Sequence, residues 1–463
     1  MKRPGGIYKC SRWLISLALG FYFRRIERFH PERVPVAGPV LFASNHPNSL
    51  TDPFVIGVSV PRKVNFVATV QLFRFRPVKW LLTHCGVIPI NRIKDDPKAM
   101  RSVMDTFEAC FRVLERGEAV AIFPEGITHD DPQLKEIKTG AARMALELEH
   151  RHDGRLGLQI VPVGLTFSAK EVYRSDALVN FGGPIRVADF MSGYAERRKE
   201  CITRLTAEIE RRIQALMLHL PQLEHARVID AVKRLYFERL QVGQDIVQEP
   251  VTPRAEELLL ARRIVEGVEH IYRTQPERAA AFAVRLDRYE RRLARLRISD
   301  EALARAPAGG FLTGRTYGLA LLAFLGFPVA VYGWAHRLIP GLLVEWSVAR
   351  FGETKTRRAA ISTARIIAGI LAFGFCYGLF IVGCHAWFGL PVSFWYALSL
   401  PVASLAAFYY WRAAQQLAAG VRHALILFRA PFVVGRLASM RDALVAEIES
   451  ARADVRRELP LPR

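Results

Sequence analysis

The chain has 463 residues, 51% of them hydrophobic, and carries 65 Lys and Arg against 44 Asp and Glu, a formal net charge of +21. That length leaves room for two or three domains. The basic excess suits an anionic membrane face or phosphorylated substrates; with no zinc spacing, RNA-binding sheet signature or helix-turn-helix pattern beside it, nucleic acid is excluded as a partner. The six cysteines, Cys10, Cys85, Cys110, Cys201, Cys376 and Cys384, lack metal-ligand spacing, which implies free thiols in a reducing compartment and no metal site.

Trp13 to Phe23 is an apolar stretch flanked by Lys9, Arg12, Arg24 and Arg25. It is short for a spanning helix and no small-residue cleavage site follows. It therefore reads as a helix in the membrane interface with snorkelling basic residues, a plain amphipathic core helix being the other reading. Pro39 to Ala43 then reads as a buried strand (39–44) that ends in the polar loop Ser44-Asn45-His46-Pro47-Asn48-Ser49-Leu50-Thr51-Asp52. A histidine and a carboxylate at the mouth of a strand form a minimal base and orienter. The imidazole takes a proton near neutral pH, and the carboxylate fixes its tautomer and stabilises the imidazolium. The bland alternative is a loop histidine beside a helix that Asp52 caps. No serine or cysteine nucleophile in an elbow sequence stands beside the pair, so the simplest chemistry is direct attack by a substrate hydroxyl.

Further strands are expected at 64–70, 87–90, 119–124, 158–168 and 177–181, with helices such as Pro97 to Arg116 and Ala141 to His150 between them. That is a layered α/β domain. Gly86-Val87-Ile88-Pro89-Ile90-Asn91-Arg92 is a short strand ending on a cation. The strand Ala119 to Phe123 breaks at Pro124-Glu125-Gly126-Ile127-Thr128, and Lys138-Thr139-Gly140 precedes a helical run. Taken singly, Arg92 reads as a surface arginine and Pro-Glu-Gly as a turn.

Arg198 to Leu220 and Ala255 to Arg297 are arginine-rich with apolar residues at helical spacing, a solvated helical face or a basic bundle on lipid headgroups. Tyr317 to Trp334, Ile366 to Phe388 and Phe394 to Trp411 are each about long enough to cross a bilayer. Arg365 before the last two and Arg412 after them place the tip of a hairpin, Gly389 to Ser393, on the non-cytoplasmic side. Arg315 before the first segment and Arg337, Arg350, Lys355, Arg357 and Arg358 after it argue for a re-entrant pair turning at Pro340-Gly341; a single span is the alternative. Met440 to Leu459 reads as a charged cytoplasmic helix.

The blocks His46…Asp52, Gly86…Arg92, Phe123-Pro124-Glu125-Gly126-Ile127-Thr128 with Lys138-Thr139-Gly140-Ala141, and Val161-Pro162-Val163-Gly164 follow one another across residues 40–165. In this order they make the chain resemble the PlsC-type superfamily of lysophosphatidic acid and glycerol-3-phosphate acyltransferases. The Phe-Pro-Glu-Gly block is the most specific. One departure concerns spacing: His46 and Asp52 form His-x5-Asp instead of His-x4-Asp. His-Pro-Asn-x-x-x-Asp looks like the variant of a branch related to fungal dual-substrate glycerol-3-phosphate/dihydroxyacetone-phosphate acyltransferases. An irregular loop can absorb the extra residue, whereas a helix would turn Asp52 to another face.

The resemblance implies His46 as general base oriented by Asp52, and Arg92 gripping the acceptor phosphate in bidentate fashion. It implies Glu125 as acceptor of substrate hydroxyls, Gly126 as a place where substrate approaches backbone, and Asn48 and Thr128 as further substrate contacts. Lys138, with the amides at the next helix start, would help cradle phosphate. The domain organisation expected is an interfacial helix over 1–30, the acyltransferase domain over 31–188 and a basic helical region over 189–310. Transmembrane segments over 311–415 (re-entrant or spanning at 317–346, hairpin at 366–411) and a helical tail over 416–463 complete it. The function implied is a membrane O-acyltransferase of phospholipid synthesis, moving a fatty acyl group from acyl-CoA or acyl-carrier protein to glycerol 3-phosphate or a lysophospholipid. It would need no cofactor beyond the donor thioester. Its partners would be membrane lipids, in the cell inner membrane or another intracellular membrane, with the catalytic domain facing the cytoplasm. The alternative is a catalytically silent membrane scaffold of the same fold.

Overall fold

The computed structural model describes residues 5–90, 100–129, 131–242, 252–304, 314–351, 361–429 and 431–458. The chain divides into two compact units. One comprises Met1–Leu223, Glu249–Leu258 and Val348–Ile366; the other comprises Glu224–Gln248, Leu259–Ser347 and Ile367–Arg463.

The first unit is built on one sheet of eight strands: β1 (Arg25–Phe29), β2 (Val40–Ser44), β3 (Val64–Thr69), β4 (Ile88–Ile90), β5 (Ala119–Ile122), β6 (Gln159–Phe167), β7 (Asp176–Phe181) and β8 (Ile185–Arg186). Their order is β1-β7-β6-β2-β5-β3-β4, with β8 beside β6. β2 runs parallel to both β5 and β6, while β7 and β8 run antiparallel to β6. Every residue of β2 is buried, the mark of a central parallel strand covered on both faces. Its two-residue period sends Leu41 and Ala43 to one face and Val40 and Phe42 to the other. The first face packs on α4 (Met100–Glu115), α5 (Gly140–Arg151) and α6 (Arg198–Gln214). The second packs on α1 (Gly6–Tyr22) and α2 (Thr51–Ser59), whereas α3 (Arg76–His84) buries no side chain.

Two features of β6 explain how Pro and Gly sit in a central strand. Pro162 falls where the partner changes from β8, paired at Ile160, to β7, paired at Val163, so its missing N–H interrupts no continuous ladder there. At Gly164 the backbone after α6 approaches closely: a Cβ would lie 2.3 Å from the Leu216 carbonyl oxygen, which also accepts from Asn180 Nδ2 at 3.1 Å.

The expected layered α/β domain is thus present, with corrections. The sheet begins upstream of residue 31, because Arg25-Ile26-Glu27-Arg28-Phe29 forms β1 beside β7. Its charges disguise it as the basic flank of the preceding helix. α6, expected within the basic helical region, buries Cys201, Ile202, Leu205, Ile209 and Ile213 against the sheet side of this unit. In α1, Leu19 and Tyr22 are buried while Trp13, Leu14, Leu17 and Phe21 stay exposed. Arg12 Nη2 on α1 donates to the Val60 carbonyl at 2.7 Å just past α2, and so satisfies an otherwise orphaned acceptor near a helix end.

Asp176, at the start of β7, is nearly enclosed and lies between two guanidinium groups, Arg24 (2.5 Å) and Arg254 (2.5 Å). Burial alone would raise its carboxyl, but the two cations outweigh that and hold it below the ordinary carboxylate range.

The second unit is helical: α7 (Ala226–Val242), most of α8 (Pro253–Thr274), α9 (Pro276–Leu296), α10 (Asp300–Ala304), most of α11 (Gly314–Phe351), most of α12 (Ile361–Arg429) and α13 (Pro431–Glu458). α9 and α13 are tied by Arg278 to Asp454 at 2.8 Å, and α10 and α13 by Arg441 to Asp300 at 3.1 Å. The re-entrant turn expected at Pro340-Gly341 is overturned: α11 continues through Pro328 and Pro340 as one helix. A helix among other helices tolerates the hydrogen bond that each proline removes. Its close neighbour is the second arm of α12, where a Cβ on Gly333 would lie 2.0 Å from the Ala403 carbonyl oxygen. Only a residue without a Cβ permits so close an approach of the two backbones. α12 is broken once, at Gly389 (φ 76°, ψ −178°), inside the connection expected for the hairpin. Among the described residues, one helix, Ile361–Ala418, has the length and apolar character to cross a membrane. Lys355, Arg357 and Arg358 lie outside the described residues.

Two stability predictions follow from these contacts. Gly164→Ala should destabilise the protein by about 2–3 kcal/mol, read as a lower thermal midpoint, since the Leu216 backbone must move; an unchanged midpoint would contradict the close approach. Asp176→Asn should cost about 2–3 kcal/mol at neutral pH, discounted for the partial exposure of both arginines. Because the folded carboxyl is depressed below its ordinary 3.8, its contribution is complete above that pH and is lost as the pH falls below it. The gap between wild type and variant should therefore close in acid; a gap that widens there would reverse the assignment.

Candidate active site

Three strands deliver the site at their carboxyl ends, the usual place for a ligand in a parallel α/β sheet. β2 ends at Ser44 and hands over to the loop Asn45–Leu50. β5 ends at Ile122 and hands over to Phe123-Pro124-Glu125-Gly126. β6 passes alongside, with Val163 in register with Ser44. Asn45 fixes the first loop to β6 by a two-point clamp: its Oδ1 accepts from the Leu165 N–H at 2.7 Å and its Nδ2 donates to the Leu165 carbonyl at 3.0 Å.

The extra residue between His46 and Asp52 is absorbed in that irregular loop, where Ser49 adopts a left-handed conformation (φ 51°). α2 starts only afterwards, and Asp52 lies in its first turn. His46 Nδ1 is consequently 2.8 Å from Asp52 Oδ2, which also accepts from the Asn48 N–H at 2.7 Å. Asp52 does not serve as the helix cap; Leu50 occupies that position without a side-chain bond. The Asp52 side chain is fully enclosed, and burial pushes its carboxyl above the ordinary range against the pull of the His46 and Asn48 hydrogen bonds. The imidazole stacks on Phe123, with ring centroids 4.0 Å apart and planes inclined by 17°. With Nδ1 occupied, Nε2 is the nitrogen left for a substrate proton.

Glu125 is enclosed as completely as Asp52. Its Oε1 accepts from the His46 N–H at 2.9 Å; its Oε2 accepts from the Lys135 N–H at 3.0 Å and lies 2.5 Å from His129 Nε2. Both oxygens are engaged by protein donors, so in this geometry the carboxylate orders the two loops that flank the histidine. Gly126 (φ 66°) closes the turn, and a Cβ there would lie 2.7 Å from Lys138 Nζ, which brings the Lys138 side chain over the Pro-Glu-Gly turn. The Lys138 N–H donates to the Pro124 carbonyl at 2.9 Å, immediately before α5. Asn48 is fully buried, and its amide nitrogen and oxygen both lack a hydrogen-bond partner. Thr128 is half-buried in the loop after Gly126. Arg92 lies outside the described residues.

The structure thus brings His46, Asp52, Asn48, Glu125, Gly126 and Lys138 to one end of the sheet. It adds residues the sequence reading passed over. Phe123, which the sequence places at a strand end and in the Phe-Pro-Glu-Gly block, is here the surface on which the His46 ring stacks, and His129 stands four residues from Glu125. Thr363 is the third: its hydroxyl accepts from the Thr51 N–H at 3.2 Å, at the head of α2, and lies 3.1 Å from the Thr51 hydroxyl. Beside it, Ser362 donates to the Lys170 carbonyl and Arg365 to the Glu171 carbonyl, so the first residues of α12 are seated in this unit. Among the described residues no three His, Cys, Asp or Glu side chains converge as a metal-ligand set.

An α/β domain that presents an oriented histidine at the carboxyl end of a central strand has the parts for proton abstraction from a hydroxyl. Residues 25–166 match the model of the Acyltransferase family. Over 429 aligned residues the chain is 24% identical to an uncharacterized acyltransferase of Schizosaccharomyces pombe, covering 72% of this chain and 62% of that protein. Over 414 residues it is 22% identical to glycerol-3-phosphate O-acyltransferase 1 of Saccharomyces cerevisiae, covering 70% of this chain and 53% of that protein. A chloroplastic 1-acyl-sn-glycerol-3-phosphate acyltransferase of Arabidopsis thaliana is 28% identical over 172 residues, 37% of this chain and 44% of that protein. The chain therefore spans less than two-thirds of the length of these curated relatives.

If Glu125 is what holds the two loops, Glu125→Ala should raise hydrogen exchange at the His46 and Lys135 amides at least about tenfold, with the rest of the sheet unaffected. Unchanged exchange at both amides would mean the loops are held by other contacts.

Proposed function

We propose that the chain is a membrane O-acyltransferase that moves a fatty acyl group from an acyl-CoA or acyl-carrier-protein thioester to a hydroxyl of glycerol 3-phosphate or a lysophospholipid. The observation that carries this reading is the 2.8 Å contact between His46 Nδ1 and the enclosed Asp52 carboxylate at the end of β2. His46 Nε2 takes the proton of the acceptor hydroxyl as its oxygen attacks the thioester carbonyl. The tetrahedral intermediate collapses, the C–S bond breaks, and the leaving thiolate receives the proton from the imidazolium, so the enzyme ends as it began. Asp52 holds the ring in the tautomer with Nδ1–H and offsets the imidazolium charge. Glu125 acts behind the ring as an ordering group, and Lys138 draws the acceptor phosphate to the start of α5. Arg92 is assigned to that phosphate on its sequence position. The reaction so drawn uses no group beyond donor and acceptor.

Glycerol 3-phosphate is the favoured acceptor, because the likeness to the yeast enzyme named for it runs over 70% of this chain, against 37% for the plant enzyme named for the 1-acyl acceptor. The loop that absorbs the extra residue favours an enzyme over a silent scaffold. Ile361–Ala418 supports a place in a membrane, and the catalytic unit is assigned to the cytoplasmic side of the inner or another intracellular membrane, where thioester donors are made.

In nanodiscs, purified protein should transfer acyl groups to glycerol 3-phosphate when offered acyl-CoA or acyl-carrier protein with a panel of acceptors that includes dihydroxyacetone phosphate and 1-acylglycerol 3-phosphate. His46→Ala should reduce transfer by about 10³-fold or more and Asp52→Asn by about 10³–10⁴-fold. Near-normal transfer by the His46 variant, or none by well-folded wild type with any pairing, would reject the mechanism.

A further inference from the structure

The second unit holds a cavity of about 600 Å³ among α7, α8, α9 and α13. It is half open to solvent, a groove and not an enclosed packing void. Its volume falls within the range of about 300–1,000 Å³ typical of ligand sites. Apolar side chains from all four helices line it: Val232 and Tyr236, Ile264, Phe282, and Ile448 with Val455. At Gly267, on α8, a Cβ would reach Val455 of α13 only at 4.0 Å, so the space between the two helices is open at this point.

The polar part of the lining has one dominant sign. Five arginines, Arg262, Arg263, Arg278, Arg452 and Arg456, line the cavity against two glutamates, Glu266 and Glu447. Glu266 and Arg456 are exposed, so the lining runs out to solvent. Arg278 is held by Asp454, and Arg452 donates to the Tyr236 hydroxyl at 3.0 Å, so these two are already fixed in position. An apolar interior with a cationic margin fits one chemistry: a hydrocarbon chain in the cavity and an anionic head among the guanidinium groups, which bind phosphate oxygens in planar, forked geometry.

We propose that this cavity is a binding site for a single-chain lipid with a phosphate-bearing head. Such a molecule exists in two forms around the proposed reaction, as a monoacyl glycerophosphate and as an acyl-CoA, and the shared feature is the acyl chain with its phosphate. The site is formed within the helical unit, shares no residue with His46, Asp52 or Glu125, and needs no catalysis to be observed.

The test uses the full chain in nanodiscs and a dodecyl phosphate that carries a photoactivatable diazirine near the end of its chain. Crosslinked peptides are mapped by mass spectrometry. Label should appear in α8, α9 and α13 around Ile264, Phe282 and Ile448. Excess dodecyl phosphate should suppress it; dodecanol and dodecyltrimethylammonium should not. Replacing the dodecyl competitor by decyl phosphate should weaken competition about 15-fold, two methylenes at about fourfold each. Competition by lysophosphatidate but not acyl-CoA, or the reverse, names the source, and either supports the site. Ala451→Trp should abolish this labelling by filling the cavity, and Arg263→Glu with Arg456→Glu should reduce it about tenfold. The charge-reversed pair keeps the test decisive if the tryptophan variant does not fold. Absence of label in these helices, equal competition by dodecanol, or labelling unchanged in the charge-reversed protein would overturn the proposal. None of these readouts depends on acyl transfer, so a protein that fails to transfer can still bind, and the two failures are separable.

Discussion

The active end of this molecule depends on two carboxylates that have been taken out of water. Asp52 and Glu125 are both fully enclosed, and each accepts hydrogen bonds from a backbone amide and lies within hydrogen-bond distance of a histidine ring. An enclosed carboxylate is tolerable only when donors surround it. Here those donors are the backbone amides of the loops themselves, Asn48 for Asp52 and His46 and Lys135 for Glu125, together with the rings of His46 and His129. The loops cannot adopt another path without abandoning a buried charge. The position of His46 is therefore enforced from three sides: its own amide by Glu125, its ring nitrogen by Asp52, and its face by Phe123. The scaffold beneath is equally constrained, since Asn45 locks the loop to β6 and Arg12 locks the far end of α2 to α1.

What could be read in the sequence, and what could not, follows from where the information lies. β2, β5 and β6 are covered on both faces, so they stand out as apolar runs. β1 is at the sheet's edge and carries three charges in five residues, and Arg25, Glu27 and Arg28 hide it among the basic residues after α1. The pairing of His46 with Asp52 was legible because the two are close in sequence and sit beside a strand. The tolerance of the extra residue was not, because it depends on a left-handed Ser49 and on α2 starting after the loop. Glu125 was identifiable from its block, but its role was not: its donors, His46 and Lys135, come from positions that only folding brings together. Thr363 is more than three hundred residues from Thr51, and no local pattern could join them. α11 defeated the reading for a different reason. Proline followed by glycine ordinarily signals a turn, and charge on both flanks agreed, yet α11 runs on as one helix through both prolines.

The two units differ in how they hold themselves together. The sheet unit relies on interdigitated apolar faces with a few enclosed polar fixtures. The helical unit uses charged pairs along its charged helices, and in its apolar helices a small polar set: Tyr332 to Ser399 at 2.7 Å, and His336 to Tyr396 at 2.8 Å. Polar groups among apolar helices hold specific neighbours because each would otherwise be left unpaired among apolar side chains. Their number is small and their partners are mutual, so they fix the register of α11 on α12 with little polar surface.

The stacking of His46 on Phe123 has a geometric consequence. One face of the imidazole is covered by the phenyl ring, Nδ1 is turned to the carboxylate, and the side chain as a whole is only 15% exposed. The ring is thereby reduced to a single reactive edge that points along one line. For a polyol acceptor of the kind proposed, whose hydroxyl groups are of nearly equal acidity, a base at Nε2 would be unable to choose among them by proton affinity. The choice falls instead to whichever oxygen is carried onto that line when the far end of the molecule is anchored. Regiochemistry in such a site is a matter of distance and direction from the anchor to Nε2, and a shift of either by one carbon–carbon bond would select a different product.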